Sequence, residues 1–244
     1  GAGRPEANYI MERLLDAGAD ACNLPRDEIR RRNFITPSQF PYKTHLGFVL
    51  DSGDFEGTMQ MALDAGHWTS FDQRRRDAAR RGRLRGIGLS VFIEGAGSRP
   101  MEGMRMKFDA NGKVTLFAGT YAHGQGHLTV YSQLVNEFLG VDFDDVDLVN
   151  GDSATSPATA IGTFGSRSSM VGGMAIRMAS EKIVEKGKKI AGHLLQAPPE
   201  QVEFSDGVFR SASSSISLKE VAAAAHDPAR LPEGLAPGLD EEVT

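Results

Sequence analysis

Cysteine is almost missing from this chain: among 244 residues, Cys22 is the only one. A single thiol cannot close an internal disulfide, nor can it supply the ligands of a cysteine-bound iron–sulfur cluster or a structural zinc site within the chain. Cys22 follows the first apolar stripe and is expected to be a small buried residue. Long apolar runs are missing as well. No stretch approaches the ~20 residues that span a bilayer as a helix, so no membrane span is expected. No signal-peptide pattern opens the sequence, and a cytoplasmic location follows as an expectation. Excess positive charge is absent too: the net charge is −5 at pH 7, which argues against general attraction to nucleic acid or to an anionic membrane surface. The one arginine-dense run, Arg74 to Arg85, lacks interleaved aromatics and reads as a solvated helix face or a face meeting an acidic partner.

What is present is enough for a folded core, since 40% of the residues are hydrophobic. Lys113 to Thr120 places Val114, Leu116 and Ala118 on alternate positions, as a strand does. Leu128, Tyr131, Leu134, Val135, Phe138 and Leu139 then recur at helical spacing. Between these elements lies Ala122-His123-Gly124-Gln125-Gly126-His127, a loop nearly free of bulky side chains. Gly124 and Gly126 let a ligand approach the backbone, uncapped N–H groups at the helix start favour negative charge, and Gln125 adds a neutral amide. A phosphate or pyrophosphate fits that chemistry. The loop is not G-x-G-x-x-G, because Thr129 stands three beyond Gly126, and no Gly-Lys-Ser/Thr follows to make a P-loop. Taken alone, such a turn is more often a plain connection between two elements.

A second loop, Ile161-Gly162-Thr163-Phe164-Gly165-Ser166-Arg167-Ser168-Ser169, precedes a helix-forming segment from about Met170 to Ala191. Its serines offer hydroxyls, and Arg167 can fork onto a carboxylate or phosphate. The alternative is that Ser168 or Ser169 caps the helix while Arg167 faces water. Two such loops suggest one long, phosphate-bearing ligand gripped from two sides. His123 and His127 lie four apart, but the glycines between them break a shared helix face, and no carboxylate or cysteine completes a metal site; no protein metal ligand is expected.

The remaining pattern divides the chain into a helical segment over 1–85, an α+β region over 86–226, and a Pro/Gly-rich linker or disordered tail over 227–244. In the first, Ala7, Ile10, Met11, Leu14 and Leu15 form an apolar stripe after Pro5, Pro25 opens a short basic helix, and Asp54 caps a third. The helical segment is expected to pack against something outside it. In the second, Gly86–Glu94, Gly103–Asp109 and Lys113–Gly119 read as strands, with Asn111-Gly112 as a hairpin turn. A short strand is expected at Val146–Asn150, a hairpin over Val202–Arg210, and a capping box at Ser217 and Glu220. The fold class is α+β, a mixed sheet with packed helices.

Five segments together resemble the large, molybdenum-binding subunit of the xanthine dehydrogenase and aldehyde oxidase family, nearest to its carbon monoxide dehydrogenase large-chain branch. They are Gly1-Ala2-Gly3-Arg4-Pro5-Glu6-Ala7, Arg30-Arg31-Arg32-Asn33-Phe34-Ile35, Asp51-Ser52-Gly53-Asp54-Phe55, Gly124-Gln125-Gly126-His127 and Gly162-Thr163-Phe164-Gly165-Ser166-Arg167-Ser168. They follow the family's order and carry the resemblance to about Arg210. The resemblance implies that the two loops contact molybdopterin, as its cytosine dinucleotide in bacterial members, with molybdenum held by the pterin. Gln125 would bond near the metal centre and the pterin, with backbone contacts from Gly124, Gly126 and His127. Gly165, Ser166, Arg167 and Ser168 would hold the pterin and pyrophosphate from the other side.

The resemblance also implies what lies elsewhere. The family's general-base glutamate sits in a Gly-x-Gly-Glu motif that this sequence lacks, so no catalytic residue is expected within the chain. Cys22 does not sit where the carbon monoxide branch places its active-site cysteine, which leaves carbon monoxide oxidation itself unsupported. Implied partners are the remainder of the large subunit, iron–sulfur and flavin subunits, and a small-molecule substrate. The chain reads as a fragment, inactive alone. Without the resemblance, the residues also suit a non-redox nucleotide- or phosphate-binding module, or a structural fragment whose loops hold no ligand.

Overall fold

The computed structural model describes residues 3–97 and 99–244, so Gly1 and Ala2 of the first resembling segment lie outside the described residues. Two compact units are present, Gly1–Ile93 and Glu94–Thr244, and the division falls after Ile93 rather than after Arg85.

The first unit is mainly helical. Pro5 sits in the first turn of α1 (Arg4–Ala21), where its missing N–H costs nothing, and Pro25 directly precedes α2 (Arg26–Arg31). A hairpin of β1 (Tyr42–Lys43) and β2 (Val49–Leu50) follows. Asp54 caps α3 (Phe55–Ala65), its carboxylate accepting the Gly57 N–H at 2.8 Å, and α4 (Phe71–Arg80) carries the first part of the arginine run. On α4, Arg80 pairs with Asp77 at 3.0 Å, and the helix buries only Ala78.

Two expectations fail in this unit, Gly86–Glu94 as a strand and Cys22 as a buried residue, each for a physical reason. α1 buries Glu12, Asp16 and Ala19, while Ile10, Met11 and Leu14 of its apolar stripe are exposed. The buried face is polar because Arg30, 2% exposed, reaches it from α2 and bonds both Glu12 and Asp16. Gly86–Glu94 forms no strand. Its backbone groups go to side chains instead: the Val91 N–H donates to the Glu12 carboxylate at 3.0 Å, and the Leu89 carbonyl accepts from Arg30. Cys22 is exposed, because it caps the C-terminus of α1 ahead of a turn in which Asn23 is left-handed (φ 52°), and nothing covers it.

The second unit is the α+β region. β3 (Met104–Phe108) and β4 (Val114–Ala118) form an antiparallel hairpin, and α5 (His127–Leu139) leads from β4 to β5 (Val146–Asn150), which pairs with β4 in parallel. Then come the long α6 (Gly173–Leu195), a small sheet of β6 (Glu203–Ser205), β7 (Val208–Arg210) and β8 (Ser215–Ser217), and α7 (Leu218–Ala225). Ser217 and Glu220 make the expected capping box. The tail expected to be a linker or disordered is folded: Leu239 is fully buried, and β9 (Glu241–Val243) adds an antiparallel strand beside β3. The main sheet runs β5-β4-β3-β9 and is mixed.

Alternation decides which faces meet. Met104, Met106 and Phe108 of β3 and Val114, Leu116 and Ala118 of β4 point into one core with Tyr131, Val135 and Leu139 of α5 and Ile176, Ile183 and Ile190 of α6. Gly140 ends α5 in the left-handed region (φ 66°), where the Asp206–Gly207 backbone leaves no room for a Cβ. The sheet and the two helices thereby fix the loop between β4 and α5 and the loop ahead of α6.

Candidate functional site

The two loops singled out in the sequence come together in the second unit. Gln125, His127, Val130 and Tyr131 from the first, and Thr163, Phe164, Ser166, Arg167, Ser168 and Ser169 from the second, line one cleft of about 420 Å³.

On the first side, α5 starts at His127 with Gly126 as its N-cap in the left-handed region (φ 74°), and no side chain caps it. Its leading N–H groups remain available to an acceptor, and the helix dipole favours negative charge there. Gly124 (φ 109°), Gly126 and Gly162 (φ 112°) face open space where a Cβ would stand. The Gln125 side-chain oxygen accepts the His123 N–H, which folds the residue back over the loop. His127 is 4% exposed and stacks on Tyr131 with ring centroids 5.4 Å apart. Its Nδ1 is buried without a hydrogen-bond partner among the described residues. Burial pushes the imidazole below its ordinary value; the Thr120 backbone opposes that shift and His123 adds to it. His123 is exposed and packs edge-on against Tyr121, so the two histidines do not share one environment.

On the second side, Gly165 and Ser166 are both left-handed (φ 57° and 53°), which turns the chain into a π-helical turn over Ser168–Gly172 that leads into α6. Ser166 and Ser169 are exposed and Ser168 is half-buried. Arg167 is placed differently from expectation. Its guanidinium is fully buried, ion-paired with the equally buried Glu102, and bonded to the carbonyls of Gly162 (2.6 Å), Arg99 (3.2 Å) and Met101. As placed it organises the loop rather than forking onto a ligand, because a charge this deep needs its compensating carboxylate and carbonyls inside the protein.

Buried hydroxyls also join the loops. Thr120 Oγ1 lies 2.6 Å from Tyr131 Oη, and that phenol donates to the Ser168 carbonyl at 3.3 Å. Burial raises the Tyr131 pKa, so the phenol stays protonated and can donate. Nearer the surface, Thr163 Oγ1 donates to the Tyr121 carbonyl at 2.7 Å. Reasoning from sequence missed Glu102 and Thr120 and counted Tyr131 only as part of an apolar stripe. Glu102 and Arg167 are 65 positions apart, and no local pattern announces such a pair.

Comparisons with known proteins identify the family. Residues 61–242 match the molybdopterin cofactor-binding domain model, so the likeness runs well past Arg210. The carbon monoxide dehydrogenase large chain of Hydrogenophaga pseudoflava is 35% identical over 96% of this chain and 31% of its own length. The gamma subunit of the 6-hydroxypseudooxynicotine dehydrogenase complex of Paenarthrobacter nicotinovorans is 33% identical over 93% of this chain and 29% of its own. Among solved structures, quinoline 2-oxidoreductase from Pseudomonas putida 86 superposes with a TM-score of 0.74 at 30% identity, covering 97% of this chain and 32% of that one. Carbon monoxide dehydrogenase from Oligotropha carboxidovorans gives 0.71 at 31% identity, covering 98% and 32%. The chain spans about a third of the length of these relatives. With the family model covering most of its length and both loops meeting at one cleft, the chain belongs to the molybdopterin cofactor-binding domain family.

Proposed function

We propose that the cleft between the two loops holds molybdopterin as its cytosine dinucleotide, and that the chain is the cofactor-gripping part of the large subunit of a molybdenum hydroxylase. The observation that carries this reading is the convergence on one cleft of two loops, whose Gly124, Gly126 and Gly162 face open space where a Cβ would stand. The residues fit the group: the uncapped start of α5 behind Gly126 suits a phosphate, and His127 Nδ1, without a partner among the described residues, suits a polar ring system.

Gly124, Gln125, Gly126 and His127 grip from the α5 side, with the Gln125 amide toward the pterin. Gly165, Ser166 and Ser168 grip the pterin and pyrophosphate from the α6 side. Arg167 contributes through its backbone and by fixing the loop. When bound, the group supplies two-electron redox chemistry, the hydroxylation of an aldehyde or N-heterocycle or the oxidation of carbon monoxide. This chain's residues bind and orient; the general base, the iron–sulfur and flavin partners and the substrate pocket are assigned to other parts of a cytoplasmic complex. Alone, the chain is a binding unit without turnover.

Thermal unfolding with cytidine diphosphate tests the site directly. At 100 times Kd the ligand stabilises by about 2.7 kcal/mol, which raises Tm by several degrees, and cytidine without phosphate does not. Ser166→Ala, at an exposed position, reduces the shift without lowering the unliganded Tm. The absence of any shift with phosphate-bearing ligands overturns the assignment.

A further inference from the structure

The buried hydroxyl relay between the loops has a direction. Tyr131 Oη donates its one proton to the Ser168 carbonyl, so the 2.6 Å contact with Thr120 is made by the threonine donating to the phenol. Thr120 stands two positions before the first loop, and Ser168 opens the π-helical turn of the second. A π-turn widens the helix and leaves carbonyls poorly matched to the helical ladder, and such turns concentrate at functional positions. Here the Ser168 carbonyl accepts the phenol O–H. The fit has no slack: a Cβ on Gly172 would lie 2.8 Å from Tyr131 Oη, so glycine is what lets the hydroxyl reach the turn. Thr120 and Tyr131 are both fully inaccessible to solvent, where a hydrogen bond is neither exchanged with water nor replaceable by it. The surface contact between Thr163 and Tyr121 is open to water and competes with it.

We infer that Tyr131 is a positioning residue whose hydroxyl, together with Thr120, locks the two loops at one separation, so that occupation of either loop orders the other. The inference rests on the reading of the two loops as halves of one cofactor site and deepens it by naming the element that couples them. Tyr131 acts through the backbone of Ser168 and through Thr120. Ordering one loop then leaves less to be ordered in the other, which lowers the cost of engaging both.

Hydrogen exchange of the whole chain, titrated with inorganic pyrophosphate, tests the coupling. In the wild type, amides of 122–127 and 162–169 gain protection with one shared midpoint. In Tyr131→Phe, which keeps the ring and its packing, and in Thr120→Val, which cuts the relay from its other end, the two midpoints separate by about tenfold, the scale of an ordinary coupling between sites. Thr120→Ser restores the hydroxyl and the shared midpoint. A merely structural role would lower Tm in the variants and leave the midpoints together. Shared midpoints in both folded variants overturn the relay while the site assignment stands; no protection of either loop in the wild type overturns the site and the relay with it.

Discussion

Arg167 and Glu102 are both sealed from solvent, so removing either leaves the charge of the other less compensated in the interior. Glu102→Leu is therefore expected to cost about 3–5 kcal/mol, and Glu102→Leu combined with Arg167→Met costs distinctly less than the single change. Urea unfolding of the two variants checks this, and a double variant less stable than the single one contradicts it. His127 gives a pH prediction. Its folded-state pKa is below the ordinary 6.5, so on acidification the unfolded chain takes up the proton first. The His127 contribution to stability is complete above about 6.5 and is lost as pH falls from there toward the lowered folded value. His127→Gln flattens that part of the stability–pH curve, and an unchanged slope in the variant rejects the assignment. At this scale the sequence showed which residues carry chemistry but not what each one faces. Arg167 reads as a phosphate ligand until Glu102 is seen beside it.

Elements were more legible where punctuation bounds them. α5 spans His127–Leu139 as read, because Gly126 and Gly140 stop it at both ends with left-handed conformations. β5 and the β3–β4 hairpin follow their alternation in the same way. α1 buries a face other than its apolar stripe. Its apolar stripe is real, yet periodicity cannot reveal that Arg30 draws Glu12 and Asp16 inward and turns the stripe outward. Gly86–Glu94 fails for the same cause, its backbone being bonded by those side chains rather than by a neighbouring strand. The consequence is measurable on α1. Ile10→Ser and Leu14→Ser each change stability by no more than about 0.5 kcal/mol, whereas Arg30→Met, which takes the buried cation away from Glu12 and Asp16, costs about 3 kcal/mol. Denaturant midpoints rank these variants, and a large loss from the exposed pair reverses the reading of which face is buried.

For the whole molecule, the two units and the folded tail were the least legible features. The tail's five prolines and glycines after Asp227 suggest a linker, but Leu239 and Val243 find places in the core that only β9's pairing with a strand more than 130 positions earlier creates. Family membership, by contrast, was legible because its motifs are local runs in a fixed order, two of which the fold brings to one cleft. That convergence is the centre of the account. The measurement that tests it most directly is molybdenum and acid-released pterin per chain, for wild type and for Gly124→Val/Gly126→Val, purified from cells supplied with molybdate. Equimolar metal and pterin in the wild type with loss of both in the variant is the expected result; a wild-type chain that carries neither, or a variant that retains both, contradicts the assignment of the cofactor to these loops.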